Sequence, residues 1–235
     1  NILLQGIALI IQFVTLAILA RLLNAKEFGV YALAQSISGF MLVFKDLGFG
    51  TVAIQSSKVS HKTVSNLFWV NSAFGVFLFF LTCLFAPILA NFFKDSRLVG
   101  VVIISSLSLV FGGLNVQHSA LLKRKLKHKL LAKLNLFSKL LGSVLSIFIA
   151  LVTRSYWSLI LLPVLISFFQ LIGTDLAVPW RPSLYNKTEK MHDWFRFGKD
   201  MTYYGVFNYF SRNLDNILIS KFLGQELLGY YSRAY

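Results

Sequence analysis

Apolar residues in this chain come in long unbroken runs. Residues 2–20, 30–52, 67–92, 98–122, 134–152 and 158–178 are each close to the roughly 20 helical residues that cross a hydrocarbon core about 30 Å thick. Residues 197–222 do so with more polar interruptions. In lipid every backbone N–H and C=O must be paired, so only helices or a closed barrel can span. Barrel strands would alternate in character over about ten residues, which these runs do not do. The expected fold class is therefore all-α, a polytopic transmembrane bundle with about seven spans. Pro87 and Pro163 fall inside spans, where each removes one helical hydrogen bond and favours a kink. Pro179 and Pro182 are expected to end the sixth span.

The charges between the runs give an orientation. Even-numbered loops hold 13 Lys and Arg, six of them at Lys123, Arg124, Lys125, Lys127, Lys129 and Lys133, while odd-numbered loops hold 6. Short loops rich in Lys and Arg stay in the cytoplasm, so the even loops and the N-terminus are expected inside. The predicted location is a membrane, crossed several times. The basic stretch 123–133 is expected to form a helical extension along the cytoplasmic surface. The longest loop, 180–199, is likewise cytoplasmic.

Composition agrees with the runs. Hydrophobic residues make up 56% of 235 and mean hydropathy is +0.67, so far less charge is available than a soluble domain exposes. A net charge of +14 is compatible with nucleic acid in a soluble protein, but here the basic residues sit between apolar spans. Setting topology and touching anionic headgroups accounts for most of it, and no nucleic-acid partner is expected. The lone Cys83 lies in an apolar run and reads as packing. The chain opens at Asn1 just before a span and stops at Tyr235, after a further apolar-aromatic stretch begins at Leu227. It is expected to be the N-terminal portion of a longer transporter.

Polar residues inside the spans carry the functional signal. Gln5, Ala8, Gln12 and Thr15 share one face of the first span, and Gln35, Ser38 and Gly39 of the second lead towards Lys45 and Asp46. In the seventh, Tyr204, Asn208, Ser211, Arg212 and Asp215 recur at steps of three and four. Ionisable groups at membrane depth cost at least about 2.5–3.5 kcal/mol, so they face a bundle interior or water. Three such stripes on separate helices point to one shared aqueous cavity. Plainer readings stand beside this one. Arg212 and Asp215, three apart, also fit a simple mutual pair. Lys45 and Asp46 fit the interface as well as the cavity, since Lys45 can snorkel. Ser138, Gly142 and Ser146, like Ser105, Ser108 and Gly112, read as small residues for close helix packing. His61, His128 and His192 are expected in solvated loops and His118 at a helix end.

Several chemistries find no motif. There is no Gly-x-x-x-x-Gly-Lys-Ser/Thr phosphate loop and no His or Cys cluster at metal-ligand spacing, so no cofactor or metal is expected. The loops 21–29, 91–97 and 153–157 on the expected outer side are short, with Glu27 and Asp95 as their carboxylates. Enzyme is the weaker class.

The motifs resemble a known family. Arg21-Leu22-Leu23 with Glu27-Phe28-Gly29, Asp46-Leu47-Gly48 with Ile54-Gln55, and Leu121-Leu122-Lys123-Arg124 come first. Trp157-Ser158-Leu159, Trp180-Arg181-Pro182-Ser183-Leu184 and Phe197-Gly198 follow, then Arg212-Asn213-Leu214-Asp215 and the stretch from Leu228-Gly229-Tyr230-Tyr231 to Tyr235. In this order they resemble bacterial polysaccharide exporters, the O-antigen, colanic acid and teichuronic acid type flippases of the multidrug/oligosaccharidyl-lipid/polysaccharide superfamily. Ala25 stands where that family often has proline, and His128 where an aromatic is common.

The resemblance implies twelve to fourteen helices in two pseudosymmetric bundles. It divides this chain into 1–178 (first bundle), 179–196 (inter-bundle loop) and 197–235 (start of the second). It implies a polyprenyl-pyrophosphate-linked oligosaccharide as substrate, carried outward for capsule, exopolysaccharide or O-antigen assembly. The partners are then that substrate, membrane lipids and other polysaccharide-assembly proteins. For the implied pyrophosphate, Arg212 is the first candidate contact and Lys45 the second, with Asn208 in the same cavity. Asp46 and Asp215 would hold those cations or bind a coupling ion. The alternatives are a multidrug-type exporter of the same superfamily and a membrane-embedded glycosyltransferase or polymerase.

Overall fold

The computed structural model describes residues 2–44, 60–186 and 192–234. Among them are eight helices and no strand: α1 (Ile2–Leu22), α2 (Ala25–Phe44), α3 (His61–Phe93), α4 (Arg97–Arg124), α5 (His128–Thr153), α6 (Trp157–Ala177), α7 (His192–Phe222) and α8 (Gln225–Ala234). α1 and α3 to α6 are long and apolar enough to cross a membrane, and α2 and α7 occupy the second and seventh expected spans. Phe13, Phe80, Leu84, Phe148 and Leu151 turn outward, as helices solvated by lipid require. The chain is a multi-pass helical membrane protein.

Helix starts differ from the hydropathy reading where capping chemistry intervenes. α2 begins at Ala25, five residues before its apolar run, because Asn24 and Glu27 form a reciprocal capping box. The Asn24 N–H donates to Glu27 Oε2 and the Glu27 N–H to Asn24 Oδ1, both at 3.0 Å. Ala25 is thus the first helical residue, a position that also tolerates proline. Ser60 caps α3 by accepting from the Thr63 N–H at 3.0 Å, so His61 opens a 33-residue helix. His61 and His128 stand exposed at helix starts, not in loops.

The expected basic loop is a tight turn. α4 runs to Arg124 and α5 starts at His128, with Leu126 in the left-handed region at φ 55°. The N–H groups of Lys125, Leu126 and Lys127 close it by donating to Leu121, Lys123 and Leu122 carbonyls. The basic residues therefore sit on two helix ends and the turn between them, in place of one surface helix.

α1 lies on α5, α5 on α6, α6 on α4 and α4 on α3, while α2 contacts α4 and carries α7 and α8. Small residues permit this closeness. A Cβ added at Gly75 of α3 would stand 2.8 Å from the Leu109 carbonyl oxygen, and one at Gly113 of α4 2.7 Å from that of Asn71. These two backbones touch directly, the contact that glycine allows between membrane helices. Gly142 meets Ile166 in the same manner, and the Ser146 hydroxyl donates to the Ser158 carbonyl at 2.6 Å. The small-residue stripe of α5 is a packing seam, while on α4 the close contact falls on Gly113, beside the stripe of Ser105, Ser108 and Gly112.

Candidate functional site

Gln12 and Thr15 of the first stripe meet Gln35 of the second, while Ser38 and Gly39 lie outside the residues whose side chains are described. Gln12 and Thr15 of α1, Tyr31 and Gln35 of α2, and Lys139 and Ser143 of α5 line a cavity of about 180 Å³, closed on the α6 side by Leu162, Pro163 and Ile166. Gln12 and Gln35 each lie ten residues from one end of their helix, about 15 Å at 1.5 Å per residue, so the cavity sits near mid-span. Within it the Lys139 ammonium donates to Gln12 Oε1 at 3.3 Å and the Gln35 amide donates to the Tyr31 hydroxyl at 3.0 Å. Thr15 instead donates to the Ile11 carbonyl at 2.6 Å, satisfying itself on its own helix. Pro163 withholds the N–H that would bind the Leu159 carbonyl, loosening α6 where the cavity lies.

The α7 stripe lies elsewhere. Asn208, Ser211 and Arg212 are exposed along α7 and none lines this cavity. Asp215 is half-buried and its Oδ2 accepts from the Tyr231 hydroxyl of α8 at 2.6 Å. Among the described residues Arg212 and Asp215 do not form an ion pair; the pairs are Arg97–Asp95, His118–Asp175 and Arg181–Asp175. Lys45 and Asp46 lie outside the described residues.

Lys139, Ser143 and Tyr31 are the polar lining residues that the hydropathy reading passed over. Lys139 had a legible signal, as a basic residue inside an apolar run, one helical turn before Ser143. Tyr31 had none, since an aromatic near a span end reads equally well as an interfacial anchor.

Two polar junctions flank the cavity. At the end opposite the basic turn, Arg97 grips Asp95 and also donates to Gln225 Oε1 at 3.1 Å, while Lys221 donates to the Phe92 carbonyl at 2.8 Å. Burial alone would raise the Asp95 pKa, but hydrogen bonds from the Arg97 side chain and backbone, together with Gln225 and the Arg97 charge, hold it below the usual carboxylate value. These contacts tie α7 and α8 to the α3–α4 turn. At the basic end the segment 178–186 runs beside the start of α3. Asn66 Nδ2 donates to the Asn186 carbonyl at 2.6 Å, and the Asn186 N–H donates to Asn66 Oδ1 at 2.8 Å. Trp180 packs against Phe68 and His118, and His118 is buried with Nε2 3.3 Å from Asp175 Oδ1.

The sequence model of the family described as polysaccharide biosynthesis protein matches residues 18–235. The chain belongs to that family. Relatives of this chain include the teichuronic acid biosynthesis protein TuaB of Bacillus subtilis, 28% identical over 96% of this chain and 47% of the relative. The succinoglycan biosynthesis transport protein ExoT of Rhizobium meliloti is 27% identical over 95% of this chain and 45% of the relative. The lipopolysaccharide biosynthesis protein WzxC of Escherichia coli is 22% identical over 94% and 46%. The chain thus spans about half the length of the curated relatives it matches. No solved structure matches it. The family resemblance read from the motifs holds along nearly the whole chain.

Proposed function

We propose that this protein is a flippase that moves polyprenyl-pyrophosphate-linked oligosaccharide outward across the bacterial inner membrane for surface polysaccharide assembly, and that it is not an enzyme. The observation that carries the reading is a mid-span cavity into which Gln12, Thr15, Tyr31, Gln35, Lys139 and Ser143 bring polar groups, among helices whose outward faces are apolar. A saccharide moved into hydrocarbon without hydrogen-bond partners loses several kcal/mol per polar group, which a polar lining offsets. The names of TuaB, ExoT and WzxC, all polysaccharide biosynthesis or transport proteins, support it.

In this reading residues 1–178 are the first bundle, 179–196 the inter-bundle loop and 197–235 the start of the second bundle, with the N-terminus and the basic turn in the cytoplasm. The exposed α7 face, with Asn208 and Arg212, lines the path between bundles, and Arg212 contacts the pyrophosphate through its planar fork. Lys45 is the second cation on that path, held by Asp46. The inside-negative potential favours outward movement of the anionic headgroup by about 2.3 kcal/mol per charge per 100 mV.

The test is leaflet exposure of the lipid-linked oligosaccharide in cells with and without the intact gene. Deletion should trap it on the inner leaflet; unchanged exposure on the outer leaflet overturns the reading. Arg212→Ala should abolish surface polysaccharide with normal protein levels, and Arg212→Lys should lower it if paired bonding matters.

A further inference from the structure

We infer that His118 and Asp175 form a proton-operated latch on the connecting segment 178–186, which lets go of Arg181 when His118 takes a proton. The inference rests on the flippase reading only for placing this latch on the cytoplasmic side. The latch turns on one atom. Asp175 Oδ1, near the end of α6, lies 2.8 Å from Arg181 Nη1 and 3.3 Å from Nε2 of His118 on α4. His118 Nδ1 is 3.2 Å from the Leu114 carbonyl, which can only accept, so Nδ1 carries the ring proton. Nε2 then turns a lone pair toward a carboxylate oxygen. It is buried and has no hydrogen-bond partner among the described residues. In this state Arg181 holds Oδ1.

A proton on Nε2 reverses the preference. It converts two facing lone pairs into a charge-assisted hydrogen bond and sets a second cation beside the guanidinium. The two donors differ in what each finds without the carboxylate. The Arg181 side chain is 63% exposed and meets water, whereas that of His118 is 4% exposed and does not. Oδ1 therefore passes to His118, and Arg181 comes free. Among the described residues, Asp175 from α6 and Arg181 from the segment are the charged groups acting on His118. α3 presents Phe68 to its ring, and His61 stands beyond Trp180.

The rest of the segment is tied to α3 by uncharged bonds. The Ser183 N–H donates to Ser65 Oγ at 3.0 Å, the Trp69 indole donates to the Ser183 carbonyl at 2.8 Å, and Asn66 holds Asn186. None of these groups titrates, so the proton acts on residues 178–182, between the end of α6 and the Ser183 anchor. Trp180, seated against His118 and Phe68, is the residue that release uncovers.

Limited chymotrypsin digestion of the full-length protein in phosphatidylcholine nanodiscs tests this, scored as cleavage after Trp180. It is run on either side of the ordinary imidazole value of about 6.5, at about pH 5.5 and about pH 8. Each rate is divided by that of His118→Gln at the same pH, which cancels the pH dependence of the protease. The parent should match His118→Gln at the higher pH and be cut severalfold faster at the lower one. Asp175→Asn, which takes the charge from the shared oxygen, should be cut fast at both. If His118→Gln does not fold, Asp175→Asn is the reference, and the parent should reach its rate at the lower pH only. His61→Gln should behave as the parent. A parent ratio equal at both pH values, a pH response lost in His61→Gln, or slow cutting of Asp175→Asn at the higher pH overturns the inference. None of these results bears on leaflet exposure after gene deletion, so the two readings fail separately.

Discussion

The Tyr231 hydroxyl donates to Asp215 Oδ2 at 2.6 Å, joining α8 to α7 across the short turn between them. Oδ1 of the same carboxylate is buried and has no hydrogen-bond partner among the described residues. Asp215 is therefore held by a neutral donor and not by Arg212 one turn away. Tyr231→Phe strips the carboxylate of that donor and should destabilise the protein by about 1–3 kcal/mol, the cost of an unsatisfied buried acceptor. Asp215→Asn keeps an acceptor without the charge and should lose less. Thermal unfolding of both variants in detergent checks the order.

Gly29 of α2 faces the first residue of α8, and an added Cβ would overlap the Gln225 carbonyl oxygen. The obstacle is backbone, which cannot rotate away. Gly29→Ala should cost about 1–3 kcal/mol, as overpacking does, and should weaken the α2–α8 contact. Disulfide trapping between cysteines placed on α2 and α8 should fall relative to the parent.

Asp95 has its pKa depressed in the folded state, which sets the sign of its pH dependence. Its contribution is complete above the unfolded carboxylate value of about 3.9 and disappears as pH falls through the lower folded value. Asp95→Asn should lower the thermal midpoint at neutral pH, and the gap to the parent should close on acidification below that range. A gap that stayed constant would remove Asp95 from the Arg97–Gln225 clamp.

Asn66 makes two hydrogen bonds to the backbone of Asn186, one given and one received. Asn66→Ala should release the 178–186 segment from α3, at a cost of about 1–3 kcal/mol for two lost bonds. Asn66→Asp, which keeps the acceptor alone, should fall between. Limited proteolysis within 178–186 should speed up in the same order.

Hydropathy was enough to read the bundle, because runs of lipid-facing length have few alternative folds. The helix starts were less legible. α2 extends five residues upstream since the Asn24–Glu27 box outweighs the polarity of Lys26 and Glu27, and polarity was the cue that placed a loop there. The basic stretch misled for a similar reason: like charges look like a solvated segment, yet they continue two helices past the apolar zone. In the site, Gln12, Thr15 and Gln35 were visible as spacing and share a cavity. Lys139 was hidden among the many basic residues of the chain, where only its depth sets it apart. The α7 stripe reads correctly as polar but not as joining that cavity. Spacing gives a helix face and not its neighbour, and the Tyr231 contact to Asp215 depends on how α8 folds back.

The three-residue turn between α4 and α5 carries a mechanical consequence. Lys123, Arg124, Lys125, Lys127, Lys129 and Lys133 crowd two adjoining helix tips, and submerging any one would cost at least about 2.5–3.5 kcal/mol. That hairpin can neither sink nor rise against its leaflet. Under the proposed flippase reading, this corner keeps its depth at the membrane surface while other helices move.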